Sequence, residues 1–303
     1  MSHKDSIRDG VLLLTVLVGL ATVGGLSRWL DSHRPPVDAK LEEEQLYLNG
    51  ATARRISLGF NGLAADWYWM RSLQYVGRKI LGVPESVQID SLGQLNLNLL
   101  APLIDTATTL DPQFMEPYQY AAVVLPDIDL QQAIRITKKG IAANPSAWRL
   151  YQHLGYIYWQ QRDFRAAGEA YDQGSKLPGA PAWMEAMKAK MAGEGGSREL
   201  AREIYERMYD QAGDNQVKEM ARRRLLQLES LDQRDGLGRV LSAYRSKVGR
   251  CPSSWGEIGP VLRALRLNLD SAGAPLDPSG TAYVLVSDNC DVALDPKSEV
   301  PVK

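Results

Sequence analysis

Residues 151–174, YQHLGYIYWQQRDFRAAGEAYDQG, contain side chains of the types that carry out acid–base chemistry. His153 titrates near neutral pH, and histidine is the most frequent general base in enzymes. A nucleophilic mechanism also needs a Ser or Cys next to that base and an acid that orients it. No such nucleophile or acid is spaced to work with His153. We therefore favour a structural role for this stretch over an active site, and we expect a non-enzymatic protein without a cofactor.

Asp66 is a second candidate for chemistry, within ISLGFNGLAADWYWMRSLQYVG at residues 56–77. Apolar stripes on two faces of this segment predict a helix that is sandwiched between other elements, with Asp66 inside. A buried carboxylate with a perturbed pKa is one mark of a catalytic site. The alternative is that Asp66 pairs with Arg71, Arg78 or a tyrosine hydroxyl, and we favour that alternative.

The elements around these residues repeat with a period of 34 residues. The positions that share this period are Ala133, Ala167 and Ala201, Tyr171 and Tyr205, and Gly140 and Gly174. Small residues in one helix, with an aromatic residue four positions later, resemble the tetratricopeptide repeat (TPR), in which two helices pack closely. The pattern predicts a mainly α protein, with a TPR-like α-solenoid of about four helical hairpins over residues 56–230.

The first helices of such repeats line the concave face of the solenoid. The residues predicted on that face combine aromatic rings, amides and positive charge, and they are Tyr118, Gln119, Arg149, Gln152, Tyr156, Trp159 and Lys190. A groove of this composition suits an extended peptide or a partner helix. We expect a protein or peptide partner and no small-molecule substrate. The net charge of −1 offers no basic face for nucleic acid.

The N-terminal region predicts a membrane anchor. A short polar tail at residues 1–10 is followed by a run without charge from Val11 to Ser27, and a transmembrane helix is predicted over 11–30. A cleaved signal peptide and a buried helix are the alternatives. A linker is predicted over 31–55. Positive residues on both sides hardly discriminate the orientation, so the short N-terminal tail and the cysteines decide for a periplasmic soluble domain.

Residues 231–303 predict a small α+β C-terminal domain, with a hairpin in DPSGTAYVLVSDNCDVALDP. Cys251 and Cys290 lie in this domain as two free thiols or as a disulfide. A disulfide at this spacing would stabilise the fold by roughly 4 kcal/mol in the chain-entropy model. The domain has no histidine and only two thiols, so no metal site is expected.

Several segments resemble membrane-anchored TPR proteins of Gram-negative bacteria. After the hydrophobic helix and the aromatic segment at 56–77 come LDPQF, NPSAWRLYQHLGYIYW, LPGAPAW and DPSGTAY, in that order. The resemblance implies a non-enzymatic scaffold or adaptor in the inner membrane, with its soluble domain in the periplasm. The alternative is a permanent structural subunit of a membrane or envelope complex, which makes its contacts through residues 56–80.

Overall fold

The computed structural model describes residues 3–33, 48–84, 88 and 90–302. Its contacts divide the chain into two compact units, Met1–Asn49 and Gly50–Lys303. The described residues are mainly helical and include one two-stranded sheet, so the predicted mainly α class with a small β element is confirmed.

The first unit contains helix α1, His3–His33. Its segment Leu13–Leu30 has a mean hydropathy of 1.6 and is exposed along its length. Within the described part of the chain, α1 is the one helix that is long and apolar enough to cross a membrane. The predicted linker over 31–55 is only partly correct, because residues 31–33 continue α1 and residues 50–55 belong to the next helix. Residues 34–47 lie outside the described residues.

The second unit is built from consecutive helices that pack on one another from α3 to α11. Their bounds are α2 Gly50–Ile56, α3 Asn61–Leu81, α4 Leu100–Leu110, α5 Met115–Val124, α6 Leu130–Ala143, α7 Trp148–Gln160, α8 Phe164–Ser175, α9 Trp183–Glu194, α10 Arg198–Gln211, α11 Asn215–Val248 and α12 Gly259–Ala264. Short 3-10 turns lie at Leu92–Leu95, Leu125–Asp127 and Trp255–Ile258.

Aspartates fix the starts of three of these helices. The carboxylates of Asp129, Asp163 and Asp214 accept hydrogen bonds from backbone N–H groups in the first turns of α6, α8 and α11. Such caps satisfy donors that a helix N-terminus otherwise leaves without a partner. The sequence therefore sets where each of these helices begins.

Small residues let neighbouring helices approach. A Cβ added at Gly140 would lie 2.8 Å from the ring of Tyr118, and one added at Gly174 would lie 2.8 Å from Cβ of Tyr151. Both glycines are buried, so no larger side chain fits there without a shift of its neighbours. The small positions of the 34-residue period thus mark the closest contacts between helices.

Helix α11 is 34 residues long and joins two core clusters. Ala221 and Leu228 pack with α9 and α10, whereas Leu237 and Leu241 pack with the C-terminal residues. The boundary predicted between residues 230 and 231 therefore lies inside one continuous helix rather than in a loop.

The C-terminal residues form the predicted hairpin. Strand β1, Val284–Val286, pairs antiparallel with β2, Asp291–Ala293, and Leu285 lies opposite Val292. The hydroxyl of Tyr283 donates to Oγ of Ser230 at 2.9 Å, which ties the hairpin to α11. A disulfide joins Cys251 to Cys290, with the two Cα atoms 5.4 Å apart.

The predicted sandwich around α3 is wrong. One face of α3 is buried, with Ala65, Tyr68 and Tyr75 in the core, and it packs against α4. The opposite face is exposed, and Asp66 lies on that exposed side. Apolar periodicity on two faces predicted two covering elements, but the fold supplies only one.

Candidate protein-binding face

Helix α7 presents one buried face and one exposed face, as its periodicity predicts. Leu150, Leu154 and Ile157 are buried, whereas Arg149 and Tyr156 are exposed on the other side. Helix α9 repeats this arrangement at the same spacing. We name these surfaces together the α7–α9 face, and it consists of Arg149, Gln152, Tyr156 and Trp159 from α7 with Trp183, Lys190 and Glu194 from α9.

Trp159 connects the two helices of the α7–α9 face. The Nζ atom of Lys190 lies 4.4 Å from the centroid of the Trp159 ring. The indole N–H of Trp159 donates to Oε2 of Glu194 at 2.8 Å, and Lys190 and Glu194 form an ion pair at 3.6 Å. The Tyr156 ring meets Trp159 edge-on at 5.8 Å. These contacts hold the rings in fixed positions, although the exposed ion pair itself adds little stability.

A second group lies at the N-terminal ends of the same two helices. The guanidinium of Arg149 stacks over the ring of Trp148 at 4.6 Å. Trp148 in turn meets Trp183 edge-on at 6.2 Å. In the part of the chain that the structure describes, Arg149 has no carboxylate partner. It is therefore an ordered donor that remains available to a ligand.

Tyr118 does not lie on this face, and its prediction as a groove residue is wrong. Its side chain is fully buried and its hydroxyl donates to the carbonyl oxygen of Thr108 at 3.3 Å. Burial raises the pKa of Tyr118 to about 12.

A shift of one residue in the repeat explains this error. The starts of α6 and α8, Leu130 and Phe164, keep the 34-residue period, whereas α5 begins only 33 residues before α7. Tyr118 therefore takes the place of Tyr151, which is buried in the next repeat, and Gln119 takes the place of Gln152. Val123, which sequence reasoning missed, is exposed at the position of Tyr156.

The α7–α9 face continues into a cleft of about 400 Å³ between α9, α10 and α11. Lys190 and Glu194 lie at both sites, and Arg198 and Arg224 add positive charge to the cleft. Arg198 is already paired with Asp232 at 3.0 Å and with Asp235 at 2.6 Å. Sequence reasoning missed Trp183 and Glu194, although their spacing of 7 and 4 residues around Lys190 marks the same helix face.

His153 is half-buried on α7, and burial lowers its pKa below the usual value. That shift favours the neutral imidazole, for which desolvation costs less than for the charged form. Among the described residues, no group of three or more His, Cys, Asp or Glu side chains is placed to hold a metal ion.

Comparison with known proteins adds no identification. No protein-family model matches this chain, and no curated protein matches it.

Proposed function

We propose that the protein is a non-enzymatic, membrane-anchored scaffold or adaptor of the TPR type, which binds a protein or peptide on the α7–α9 face. The observation that carries this proposal is the state of Arg149, which is exposed, stacked on Trp148 and without an acidic partner in the described chain. A guanidinium held on an aromatic ring loses little freedom when it binds a carboxylate, and arginine and aromatic residues are enriched at binding hot spots.

The packing of the helices supports the TPR part of the proposal. Helices α6, α8 and α10 begin at Leu130, Phe164 and Arg198, which are 34 residues apart. Consecutive helices pack on each other, and small residues occupy their closest contacts. Stacked helix pairs of this kind give a solenoid whose first helices line a continuous surface.

The chemistry of the face defines the class of partner. Tyr156 and Trp183 offer exposed aromatic area, Arg149 offers a carboxylate-binding donor, and the cleft next to Lys190 adds further positive charge. An extended segment with apolar side chains and at least one carboxylate would match these groups.

Helix α1 and the disulfide support the location that we propose. The segment Leu13–Leu30 is long and apolar enough to anchor the chain in the inner membrane. Disulfides persist in oxidising compartments, so the Cys251–Cys290 bond favours a periplasmic soluble domain.

Crosslinking in native membranes, followed by mass spectrometry, tests the proposal. The variant Arg149→Ala/Tyr156→Ala should lose at least about nine-tenths of the wild-type partner yield, since a loss of 1.4 kcal/mol is a factor of about ten. Its thermal midpoint should stay within a few degrees, because exposed substitutions usually cost under about 0.5 kcal/mol each.

A matched control replaces the exposed ion pair on α8, Arg165→Ala/Glu169→Ala, whose charged groups are 2.7 Å apart. It removes the same number of exposed side chains away from the α7–α9 face and should capture partners at wild-type yield. Full yield from the Arg149/Tyr156 variant would show that the face is not used and would refute the proposal.

A further inference from the structure

The exposed side of α3 carries a heptad pattern along its whole length. The stripe, which we name the α3 seam, consists of Leu63, Trp67, Met70, Gln74, Gly77 and Leu81. Steps of four and three residues alternate along it, which is the spacing at which one helix packs lengthwise on another. Leu63 is 71% exposed, Trp67 52%, Met70 53% and Leu81 86%. So much apolar area on one helix face marks an interaction surface.

The α3 seam is complementary to itself when two copies run antiparallel about the level of Ser72. The order of its steps is then the same in both directions, as the symmetry of a two-fold interface requires. The pairs across the interface are Leu63 with Leu81, Trp67 with Gly77, and Met70 with Gln74. The largest side chain of the seam thus meets the position that has none. Nothing lies within 4 Å of the place where a Cβ of Gly77 would stand, so the indole has room there.

Charges flanking the seam follow the same symmetry. The antiparallel pair places Asp66 of one copy level with Arg78 of the other, and both residues are exposed. Asp66 has no ion-pair partner within the described residues. Arg78 makes contacts of its own, but a guanidinium has five N–H donors and can serve more than one acceptor.

We propose that α3 forms an antiparallel two-fold interface with α3 of a second copy of this chain. This self-association lies outside the α7–α9 face and does not depend on the function proposed for that face. The seam runs over 19 residues, or about 27 Å at 1.5 Å per residue. Leu58 and Phe60, which are also exposed just before α3, extend the apolar surface at its N-terminal end.

A second copy fits this surface better than a bilayer does. Asp66 and Gln74 lie in the middle of the exposed side of α3. Insertion into lipid would remove both from water without providing a partner, which is costly for a carboxylate. In the antiparallel pair, Asp66 meets Arg78 and Gln74 meets the adaptable side chain of Met70.

The dimer can be measured on the full-length chain in detergent micelles, from its mass by light scattering over a dilution series. Gly77→Trp fills the space that Trp67 needs and should weaken dimerisation at least about tenfold. The exchange Trp67→Gly/Gly77→Trp again places a tryptophan opposite a glycine and should restore the dimer. Gly62→Trp is the matched control, since Gly62 is also open on α3 but lies off the seam, and it should have no effect. Far-UV circular dichroism checks that each variant is folded.

Cysteine crosslinking tests the register. Chains with Met70→Cys, co-expressed with chains carrying Gln74→Cys, should form a disulfide-linked dimer in native membranes more readily than either variant alone. Preferential linkage of Met70→Cys to itself would indicate another register and would overturn the proposal.

Two further results would also overturn it. A wild-type chain that is monomeric at every concentration, with Trp67 fluorescence quenched by brominated lipids, would assign the seam to the bilayer. A monomer without such quenching, which crosslinks through Met70→Cys to a different protein, would assign the seam to that partner. Failure of the α7–α9 experiment would leave all of these readouts unchanged.

Discussion

Gly155 of α7 lies directly against the ring of Tyr171 of α8. A Cβ at position 155 would stand only 2.8 Å from Cε2 of that ring. Tyr171 is buried, and burial raises the pKa of its hydroxyl to about 12. The ring therefore cannot move into solvent to make room, so the missing side chain of Gly155 sets the distance between the two helices.

Gly155→Ala should destabilise the protein by about 1–3 kcal/mol, because the added methyl group overpacks the contact with Tyr171. Gly168→Ala on α8 is the control. There a Cβ would lie 3.6 Å from Cβ of Met191, an ordinary contact, and replacing glycine by alanine inside a helix gains roughly 0.5–1 kcal/mol. Thermal unfolding followed by circular dichroism compares the two. If both variants are equally stabilised, the close packing at Gly155 is not a constraint.

The carboxylate of Glu257 should make stability depend on pH. It accepts hydrogen bonds from the hydroxyl of Tyr244, from the guanidinium of Arg250 at 2.9 Å and from the N–H of Ser253 at 2.9 Å. Together these lower the pKa of Glu257 to about 2 from its usual 4.5. Because the folded-state pKa is depressed, this stabilisation is present above pH 4.5 and is lost as the pH falls towards 2.

A carboxyl NMR titration measures this shift directly. Tyr244→Phe removes the largest contribution and should move the pKa of Glu257 back towards its usual value, while Arg250 still holds it below that value. In Glu257→Gln the loss of stability between pH 4.5 and 2 should become smaller. A Glu257 resonance that titrates near pH 4.5 in the wild type would contradict the hydrogen-bond geometry.

The disulfide should stabilise the C-terminal residues most. Cys251→Ser/Cys290→Ser should lower the free energy of unfolding by up to about 4 kcal/mol, as expected in the chain-entropy model for a separation of 39 residues. Each single substitution should cost about as much as the pair, since either one breaks the bond. Hydrogen exchange should increase first around β1 and β2.

Thiol labelling of protein from native membranes tests the compartment. Cys251 and Cys290 should not react with a maleimide until a reductant is added. If both are labelled without reduction, the C-terminal residues face a reducing compartment and the orientation proposed for α1 has to be reversed.

The helical repeat was predictable because it depends on local signals. Period-34 small residues, the capping aspartates and the exposed positions of α7 follow from propensity and periodicity, which a sequence displays directly. The position of Tyr118 was not predictable in this way. One extra residue between α5 and α6 turns a face by about a quarter of a helical turn, and only packing against α4 and α6 fixes that register.

The exposed α3 seam was missed for a different reason. Its apolar residues predicted burial within the chain, because a hydrophobic pattern states that a face must be covered but not what covers it. The alternation of four- and three-residue steps from Leu63 to Leu81 was the available signal, since it is narrower and more regular than the apolar face of an ordinary core helix. Likewise, α11 crosses the predicted boundary at residue 231 because helical propensity continues through it, while its partners change from α10 to the hairpin.

Removal of residues 1–34 provides a last test, which joins the anchor to the α3 seam. The shortened chain should leave the membrane fraction and remain mostly helical, because the second unit contains its own buried clusters. It should be a dimer in solution, since the seam is then covered by a second copy. Adding Gly77→Trp to the deletion should expose the seam and cause aggregation, whereas adding Gly62→Trp should not. A shortened chain that stays with membranes after a high-salt wash would reveal a second membrane contact and would place the seam on the bilayer.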